Sequence, residues 1–338
     1  MVRSATVIKP GTLTSVQDAG RPGYLGKGIA PGGAMDNAAF RAANLLVGNE
    51  AGSRVLSHGP RGAAVLECTI SGPELRFDSD VVVAVTGGEC TPRVGKDTVQ
   101  MWTPFTVPAG QPLALGAIRR GLRSYVAVQG GFDVPVYLGS RSTMVAAGLG
   151  GHEGRALRTG DVLRVGDPQG QATAGRRFPP LPLPGPEEPC RVRVLAGPQE
   201  DRFEDESVAA FHESEWTLTP MTNRMGSRFS GPALRFRPRP SYLDRQAGAN
   251  DSNIVDDIIP YGGIQCPDGA ASIVMNSEHP TAGGYAKIAT VISADMRLIA
   301  QMRPGQKAVF VRVAREELPA IRRDNDDLVN LSRLEDAS

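Results

Sequence analysis

One stretch in the second half of the chain collects an amide, a carboxylate, an imidazole, a phenol and an ammonium group among turn-forming glycines. These side chains are Gln265, Glu278, His279, Tyr285 and Lys287. Lys287 starts an apolar run over residues 288–292, so a strand would anchor its base while its ammonium group reaches a pocket. Such a lysine can stabilise a developing oxyanion, and Glu278 or His279 can move a proton. A polar hairpin loop that contains a proline would account for the same residues without chemistry, and both interpretations are open.

A second polar set stands near the start of the chain, where residues 15–24 read SVQDAGRPGY. It contains Gln17, Asp18 and Arg21, and its glycines permit tight turns and the close approach of a ligand. Arg21 could hold a carboxylate through two hydrogen bonds. The alternative is a solvated turn in which Asp18 and Arg21 pair locally.

Two further segments give weaker signals. Residues 220–228 place Arg224 just before a predicted strand, where a capping, surface or functional role is open. Residues 31–36 are rich in glycine and open a helix, as anion-binding helix termini do. They lack both the Lys-Ser/Thr pair of a P-loop and the spacing of a dinucleotide fingerprint, and Asp36 is predicted to cap the helix.

Several known arrangements of catalytic or cofactor-binding residues are missing from the sequence. The four histidines show no metal-ligand spacing, so no metal site is expected. There is no G-x-S-x-G motif of a serine hydrolase. There is also no Met-flanked lysine of a biotin carrier, so we expect no covalently bound cofactor on this chain.

Composition excludes some classes of partner. The 338 residues carry 37 basic and 36 acidic side chains, so no basic surplus supports nucleic-acid binding. The four cysteines are far apart in sequence, which favours a reduced, cytoplasmic protein. The N-terminal residues lack the apolar segment of a signal peptide, and no apolar run is long enough for a membrane span.

The elements that must position these residues are predicted to be mainly strands. The chain has 40 glycines and 27 prolines, and its short β-branched or apolar runs are bounded by turn residues. Strands are predicted at 5–8, 63–68, 81–85, 112–117, 124–128, 191–195, 216–219, 233–236, 272–275 and 288–292. Helices are predicted after Asp36, at 204–212 and after Asp295.

An internal echo and a proline-rich segment predict two β domains. Residues 70–77 read ISGPELRF and residues 229–236 read FSGPALRF, while 158–165 resemble 303–310 in the same order. Residues 178–189 read FPPLPLPGPEEP, which favours an extended linker. The predicted domains are therefore 1–177 and 190–314, followed by a charged helix and frayed tail at 315–338.

Five motifs together resemble the family called allophanate hydrolase subunit 2, which is also named after the biotin-dependent carboxyltransferases and the 5-oxoprolinase subunits that it contains. They are SVQDAGRPGY (15–24), GAMDNAAFRAANLLVGN (33–49), VRVLAGPQEDRF (192–203), NRMGSRFSGP (223–232) and TAGGYAKIATVISAD (281–295). The resemblance runs from about residue 5 to residue 313. It implies two tandem cyclophilin-like β-barrel domains with a few short helices.

The resemblance also implies a function and partners. Relatives act either in ATP-dependent 5-oxoprolinase, which opens the pyroglutamate lactam to glutamate, or as the carboxyltransferase part of urea carboxylase, which takes a carboxyl group from carboxybiotin on a separate carrier. Expected partners are subunit 1 of the family and either a LamB/YcsF-type subunit or a biotin carboxylase and carrier, with ATP used by the complex. A protein of another class, a regulator that binds and inhibits a kinase, is the third alternative.

Under this resemblance, nine residues are candidates for the site. Lys287, Glu278, Arg21 and Asp18 are the expected catalytic residues. Those expected to bind substrate are Arg224, Gln265, Tyr285, His279 and Gln17. One motif departs from the family: where many relatives have Asp-Arg-Gln before the Thr-x-Gly-Gly-Tyr segment, this chain has Ser-Glu-His-Pro at 277–280. Residues 253–257 are also unusual beside typical 5-oxoprolinase subunits.

Overall fold

A computed structural model describes residues 3–53, 58–239, 241 and 250–337. Within them lie 22 strands and four α-helices, which confirms the prediction of a mainly-β protein. The chain forms two compact units. Unit 1 consists of the described residues of Met1–Gly23, Pro31–Leu183 and Asp324–Ser338, and unit 2 of those of Tyr24–Ala30 and Pro184–Arg323. The division after Leu183 falls inside the segment predicted as a linker.

Unit 1 contains two antiparallel sheets packed face to face. Its strands are β1 (Ser4–Lys9), β2 (Leu13–Gln17), β3 (Val65–Thr69), β4 (Glu74–Phe77), β5 (Val81–Glu89), β6 (Arg93–Val94), β7 (Asp97–Thr98), β8 (Pro104–Val107), β9 (Pro112–Ala114), β10 (Arg120–Val128), β11 (Val162–Arg164) and β12 (Arg176–Arg177). One sheet has the order β11-β1-β4-β9-β6-β7 and the other β2-β3-β10-β5-β8. Alternate apolar residues from both sheets form one shared core, as strand geometry requires.

The helix α1 (Asn37–Leu46) covers the other face of the five-stranded sheet. As predicted, Asp36 caps it: the Asp36 carboxylate accepts a hydrogen bond of 3.0 Å from the amide of Ala39. The buried alanines of the helix allow it to lie close to Tyr125 and Ala127 of β10. This packing fixes the N-terminal end of α1 beside the polar segment that follows β2.

Unit 2 is built on a closed barrel of seven strands. Its elements are β13 (Cys190–Ala196), α2 (Asp205–Glu213), β14 (Trp216–Thr222), β15 (Gly226–Ser230), β16 (Asn253–Ile258), β17 (Gly263–Gln265), β18 (Ala271–Met275), β19 (Ala282–Tyr285), β20 (Lys287–Val291), α3 (Met296–Gln301) and β21 (Lys307–Arg312). The barrel order is β13-β20-β17-β18-β15-β14-β21, and β16 and β19 form a separate two-stranded sheet. Phe211, Trp216, Phe229 and Phe310 are fully buried in the core of this unit. The Phe310 ring is in contact with each of the other three rings.

One predicted strand, at residues 233–236, is wrong. Phe236 makes only an isolated bridge to Phe203. The amide of Leu234 donates to Gly269, and the amide of Arg235 donates to the side chain of Ser207 in α2. The backbone amides of this segment therefore donate to a turn and to a helix rather than to a neighbouring strand, although the sequence of the segment resembles that of β4.

The second pair of similar segments, 158–165 and 303–310, shares a backbone conformation. Gly160 and Gly305 both have φ of +90°, and each lies in the turn just before a strand, β11 or β21. An added Cβ would meet nothing within 4 Å at either position, so the left-handed backbone, rather than crowding, is what favours glycine.

Asp161, beside the first of these glycines, gives a pH-dependent prediction. Its carboxylate receives two hydrogen bonds, of 2.8 and 2.9 Å, from Arg155, which chiefly lower its pKa from 3.8 to about 2. A carboxyl whose pKa is lower in the folded state stabilises above its unfolded pKa and stops doing so as the pH falls through its folded pKa. We expect Asp161→Asn to lower the free energy of unfolding of unit 1 by about 1–2 kcal/mol at pH 7.

Urea unfolding in a Trp216→Phe background measures this difference, because Trp102 then reports unit 1 alone. The deficit of Asp161→Asn should persist down to about pH 4 and vanish as the pH reaches about 2. A deficit that is constant between pH 7 and pH 2 would contradict the proposed role of the ionised carboxylate.

The C-terminal segment differs from the predicted frayed tail. After α4 (Leu318–Asp327), Val329 is buried in the core of unit 1. The strand β22 (Glu335–Asp336) pairs with β12. Phe178 and Leu181, at the start of the predicted linker, are also buried in that core. The apolar beginning of the predicted linker is therefore part of the core of unit 1 and does not act as a free linker.

Candidate functional site

Asp18 lies in unit 1 just after β2, and its carboxylate is almost completely buried. It accepts hydrogen bonds from the amide of Gly20 at 2.7 Å, the hydroxyl of Ser140 at 2.6 Å and the amide of Arg141 at 2.6 Å. Burial raises the pKa of Asp18, while these donors and the charge of Arg21 act in the opposite direction. The carboxylate therefore joins the end of β2 to the loop at residues 140–141.

Arg21 and Gln17 belong to the same buried network of unit 1. The Arg21 guanidinium donates to the carbonyl oxygens of Ser142 and, at 3.5 Å, of Tyr137. The Gln17 amide nitrogen donates to Ser15 and to the carbonyl of Thr143, and its oxygen accepts from the hydroxyl of Ser142. The structure thus shows a role that was not considered from the sequence. Gln17, Asp18 and Arg21 hold the loop at residues 137–143 in place.

Unit 1 also contains a pocket of about 340 Å³. Its lining comes from loops around Asn49, Gly130 and Arg141. Asp18, Arg21 and Gln17 are not among the lining residues.

In unit 2, Arg224 and Glu278 form a buried ion pair. The Nε of Arg224 lies 2.6 Å from Oε1 of Glu278, and the two side chains are 5% and 4% exposed. The backbones of the same two residues are also hydrogen-bonded, because the amide of Glu278 donates to the carbonyl of Arg224 at 2.8 Å. The amide side chain of Asn276 also ties this loop to Asn223 and Ser227. The charge of Glu278 is therefore largely engaged with Arg224.

His279 follows this ion pair and is 1% exposed. Its Nδ1 lies 2.8 Å from the carbonyl oxygen of Pro280, so Nδ1 carries the proton and Nε2 has the free lone pair. Burial lowers the pKa of His279 below its ordinary value of 6.5, which favours the neutral ring at pH 7. Within the part of the chain that the structure describes, Nε2 is buried and meets no hydrogen-bond partner. It can accept a proton or a hydrogen bond from a ligand.

Lys287 and Gln265 lie opposite each other on the paired strands β20 and β17. Lys287 is fully buried, and its Nζ lies 3.2 Å from Oδ2 of Asp257, which is 46% exposed. This contact lacks hydrogen-bond alignment: among the described residues, neither Lys287 Nζ nor Gln265 Nε2 has a hydrogen-bond partner. Two buried donors without an aligned acceptor are costly to a fold and indicate a place where a ligand oxygen can bind.

The two-stranded sheet of β16 and β19 brings Asp257 to this place. In its register Asp257 is opposite Gly283, and an added Cβ at Gly283 would lie 3.1 Å from Gln265 Nε2. Tyr285, at the end of β19, is 39% exposed. The phenol predicted to orient substrate therefore stands at the surface of this sheet.

The close approach at Gly283 gives a second prediction. A methyl group there would meet Ile259 at 3.0 Å and the Gln265 amide at 3.1 Å, so Gly283→Ala should displace the amide. We expect ligand affinity or turnover to fall about 10-fold with little loss of stability. Gly185→Ala, whose Cβ would meet nothing within 4 Å, is the matched control. Equal activity of the two variants would show that the Gln265 amide does not contribute.

The structure therefore places the predicted residues in three groups. Arg224, Glu278 and His279 meet at the loop after β18, and Gln265 and Lys287 lie on facing strands with Tyr285 nearby in sequence. Asp18, Arg21 and Gln17 lie in unit 1. Asp257 and Gln199 were missed as individual residues, although the segment 253–257 stood out as unusual. No local motif pairs them with Lys287, because Asp257 lies 30 residues and Gln199 lies 88 residues before it in the sequence.

Among the described residues, no group of three His, Cys, Asp or Glu side chains has the geometry to hold a metal ion. None of the helices within those residues combines the length and the apolar character that a membrane span needs.

Residues 27–312 match the family model described as carboxyltransferase domain, subdomain A and B. This match covers most of the chain, and the chain belongs to that family. The family resemblance seen in the sequence motifs is thereby confirmed.

Named relatives of the chain fall into two groups of enzymes. The chain is 37% identical to a 5-oxoprolinase subunit of Escherichia coli over 94% of both proteins. It is 32% identical to the urea amidolyase of Lachancea kluyveri over 95% of this chain but 17% of that protein. Among solved structures, the urea carboxylase of Kluyveromyces lactis has a TM-score of 0.85 and 30% identity, covering 99% of this chain and 30% of that one. The relatives are thus enzyme subunits or parts of larger enzymes.

Proposed function

We propose that this chain is a subunit of a multi-subunit enzyme that acts on a small amide, and that its substrate is 5-oxoproline, which is hydrolysed to glutamate. The observation that carries the proposal is the pair of buried donors, Lys287 Nζ and Gln265 Nε2, beside the carboxylate of Asp257. Buried donors that make no aligned hydrogen bond suit a carbonyl oxygen that gains negative charge. The 37% identity to a subunit of 5-oxoprolinase supports the choice of substrate.

In this proposal Lys287 and Gln265 hold the amide oxygen, and the neutral His279 ring accepts a proton. Glu278 fixes the guanidinium of Arg224, which binds the substrate carboxylate, and Tyr285 orients the amide from the surface. Arg21, Asp18 and Gln17 are retained as candidate site residues of unit 1. ATP is used by the complex and no cofactor is bound covalently to this chain. The partners are subunit 1 of the family and a LamB/YcsF-type subunit.

A second candidate is the carboxyltransferase subunit of a biotin-dependent urea or amide carboxylase. It is favoured by the TM-score of 0.85 to the urea carboxylase over 99% of this chain. The same buried donors would then hold the carbonyl oxygen of urea, and the carboxyl group would come from carboxybiotin on a separate carrier.

Reconstitution with the partner subunits distinguishes the candidates. ATP consumption that requires 5-oxoproline and is unaffected by avidin supports the leading proposal. Avidin-sensitive incorporation of bicarbonate into urea supports the carboxyltransferase instead. No turnover of either amide, together with tight binding to a kinase, would contradict both and favour the regulatory alternative.

A further inference from the structure

Among the described residues, Asp257 is the one carboxylate in ion-pair contact with Lys287. Some of its hydrogen-bond acceptor positions are not used. Oδ1 accepts from the amide of Ile258 at 2.8 Å, and Oδ2 accepts from the side chain of Gln199 at 3.2 Å. An ionised carboxylate offers about four acceptor positions. Hydrogen bonds with good alignment therefore leave about half of the acceptor capacity of Asp257 for other donors.

Gln199 fixes this carboxylate relative to Lys287. Its side-chain oxygen accepts from the backbone amide of Lys287 at 3.2 Å, while its side-chain nitrogen donates to Asp257. Its own amide donates to the carbonyl of Lys287 at 3.3 Å. One side chain thus sets the distance between the strand that carries the ammonium group and the sheet that carries the carboxylate.

The charge on Asp257 is favoured by the same neighbours. Burial would raise its pKa, but the hydrogen bond from Gln199 and the nearby positive charge of Lys287 outweigh burial and place the pKa below its ordinary value. Asp257 is 46% exposed while Lys287 is fully buried. The carboxylate therefore stands between solvent and the buried donors.

We propose that Asp257 accepts the N–H of the substrate amide while Lys287 and Gln265 donate to its carbonyl oxygen, so that the site selects an amide N–H over an ester oxygen. The inference rests on the proposed function and adds a specificity-determining residue to it. An amide presents a donor and an acceptor side by side, and the site offers an acceptor beside two donors. A lactone of the same shape would place an ether oxygen against the carboxylate, where neither group can donate.

Binding of 2-pyrrolidinone and of γ-butyrolactone to the full chain tests this inference. The two probes share a five-membered ring and a carbonyl group, and differ in whether the ring carries N–H or oxygen. Ligand-observed NMR at millimolar concentrations gives both dissociation constants. We expect the lactam to bind at least about 10-fold more tightly than the lactone.

Three variants locate the source of that preference. Asp257→Ala should bind the two probes equally, and Asp257→Asn, which keeps one acceptor oxygen, should retain part of the preference. Asp256→Ala removes a charge from the neighbouring residue of the same strand, whose side chain points to the other face of the sheet, and should keep the full ratio. Circular dichroism confirms that each variant is folded.

The possible failures are separable. Lactam binding that depends on Lys287 but has the same lactam-to-lactone ratio in Asp257→Ala overturns the inference and leaves the proposed function standing. Absence of lactam binding, or binding unaffected by Lys287→Ala, overturns the proposed site and the inference together.

Discussion

Replacement of Lys287 by alanine is expected to lower the kcat of the reconstituted enzyme by about 10²–10³-fold. The ammonium group is fully buried on β20 and has no aligned hydrogen bond among the residues described. In the proposed reaction, the ammonium group would interact most strongly with the oxyanion that develops in the transition state. A loss of that interaction lowers kcat and kcat/KM together, rather than raising KM alone.

Lys307→Ala is the matched control, because Lys307 is 53% exposed and pairs with Glu215 at the surface of the same unit. It should retain normal kinetics. Circular dichroism and unfolding in urea should show that Lys287→Ala remains folded, since a buried ammonium group is replaced by a small apolar side chain. A folded Lys287→Ala variant with normal kcat would remove this lysine from the site.

Breaking the ion pair between Glu278 and Arg224 is expected to have the largest effect on stability. Both side chains are about 95% buried, and Glu278→Ala leaves the guanidinium without its carboxylate in the interior. Loss of one partner of a buried ion pair costs about 3–5 kcal/mol, because the attraction of Glu278 no longer offsets the desolvation of the guanidinium. Turnover should also fall, since the loop that carries His279 loses its anchor.

The measurement is urea unfolding in a Trp102→Phe background, in which Trp216 reports unit 2 alone. Glu215→Ala breaks the exposed pair with Lys307 and should cost less than about 1 kcal/mol. The double variant Arg224→Met, Glu278→Leu should recover most of the stability, because it removes both charges. If Glu278→Ala cost no more than Glu215→Ala, the pair would not be the anchor of this loop.

The sequence was sufficient for the features that depend on neighbouring residues. Nine of the ten strands predicted from short β-branched or apolar runs are present. The Asp36 cap was predicted correctly because the donor, Ala39, lies only three residues away. The strand at 233–236 was predicted wrongly for the opposite reason. Its local pattern matches β4, but the partners of its backbone come from α2 and from Gly269, which no local pattern specifies.

The residues of the candidate site also differ in whether the sequence could identify them. Lys287 and Gln265 could be identified from residue type and from their positions at strand ends. Asp257 and Gln199 could not, because their roles depend on contacts 30 and 88 residues distant from Lys287 along the chain. The buried network around Asp18 was equally hidden, since its donors Ser140 and Arg141 come from a loop more than 120 residues further on.

The pairing of β22 with β12 has a consequence for the order of events on the ribosome. Residues 184–323 interrupt unit 1, and Val329 and β22 complete it after them. The seven-stranded barrel can close as soon as β21 has emerged from the exit tunnel, whereas unit 1 must wait with part of its core uncovered. Nascent chains held with β21 outside the exit tunnel and residue 329 still inside it should therefore expose the apolar surface around Phe178 to chaperones, and emergence of residues 329–336 should end that exposure.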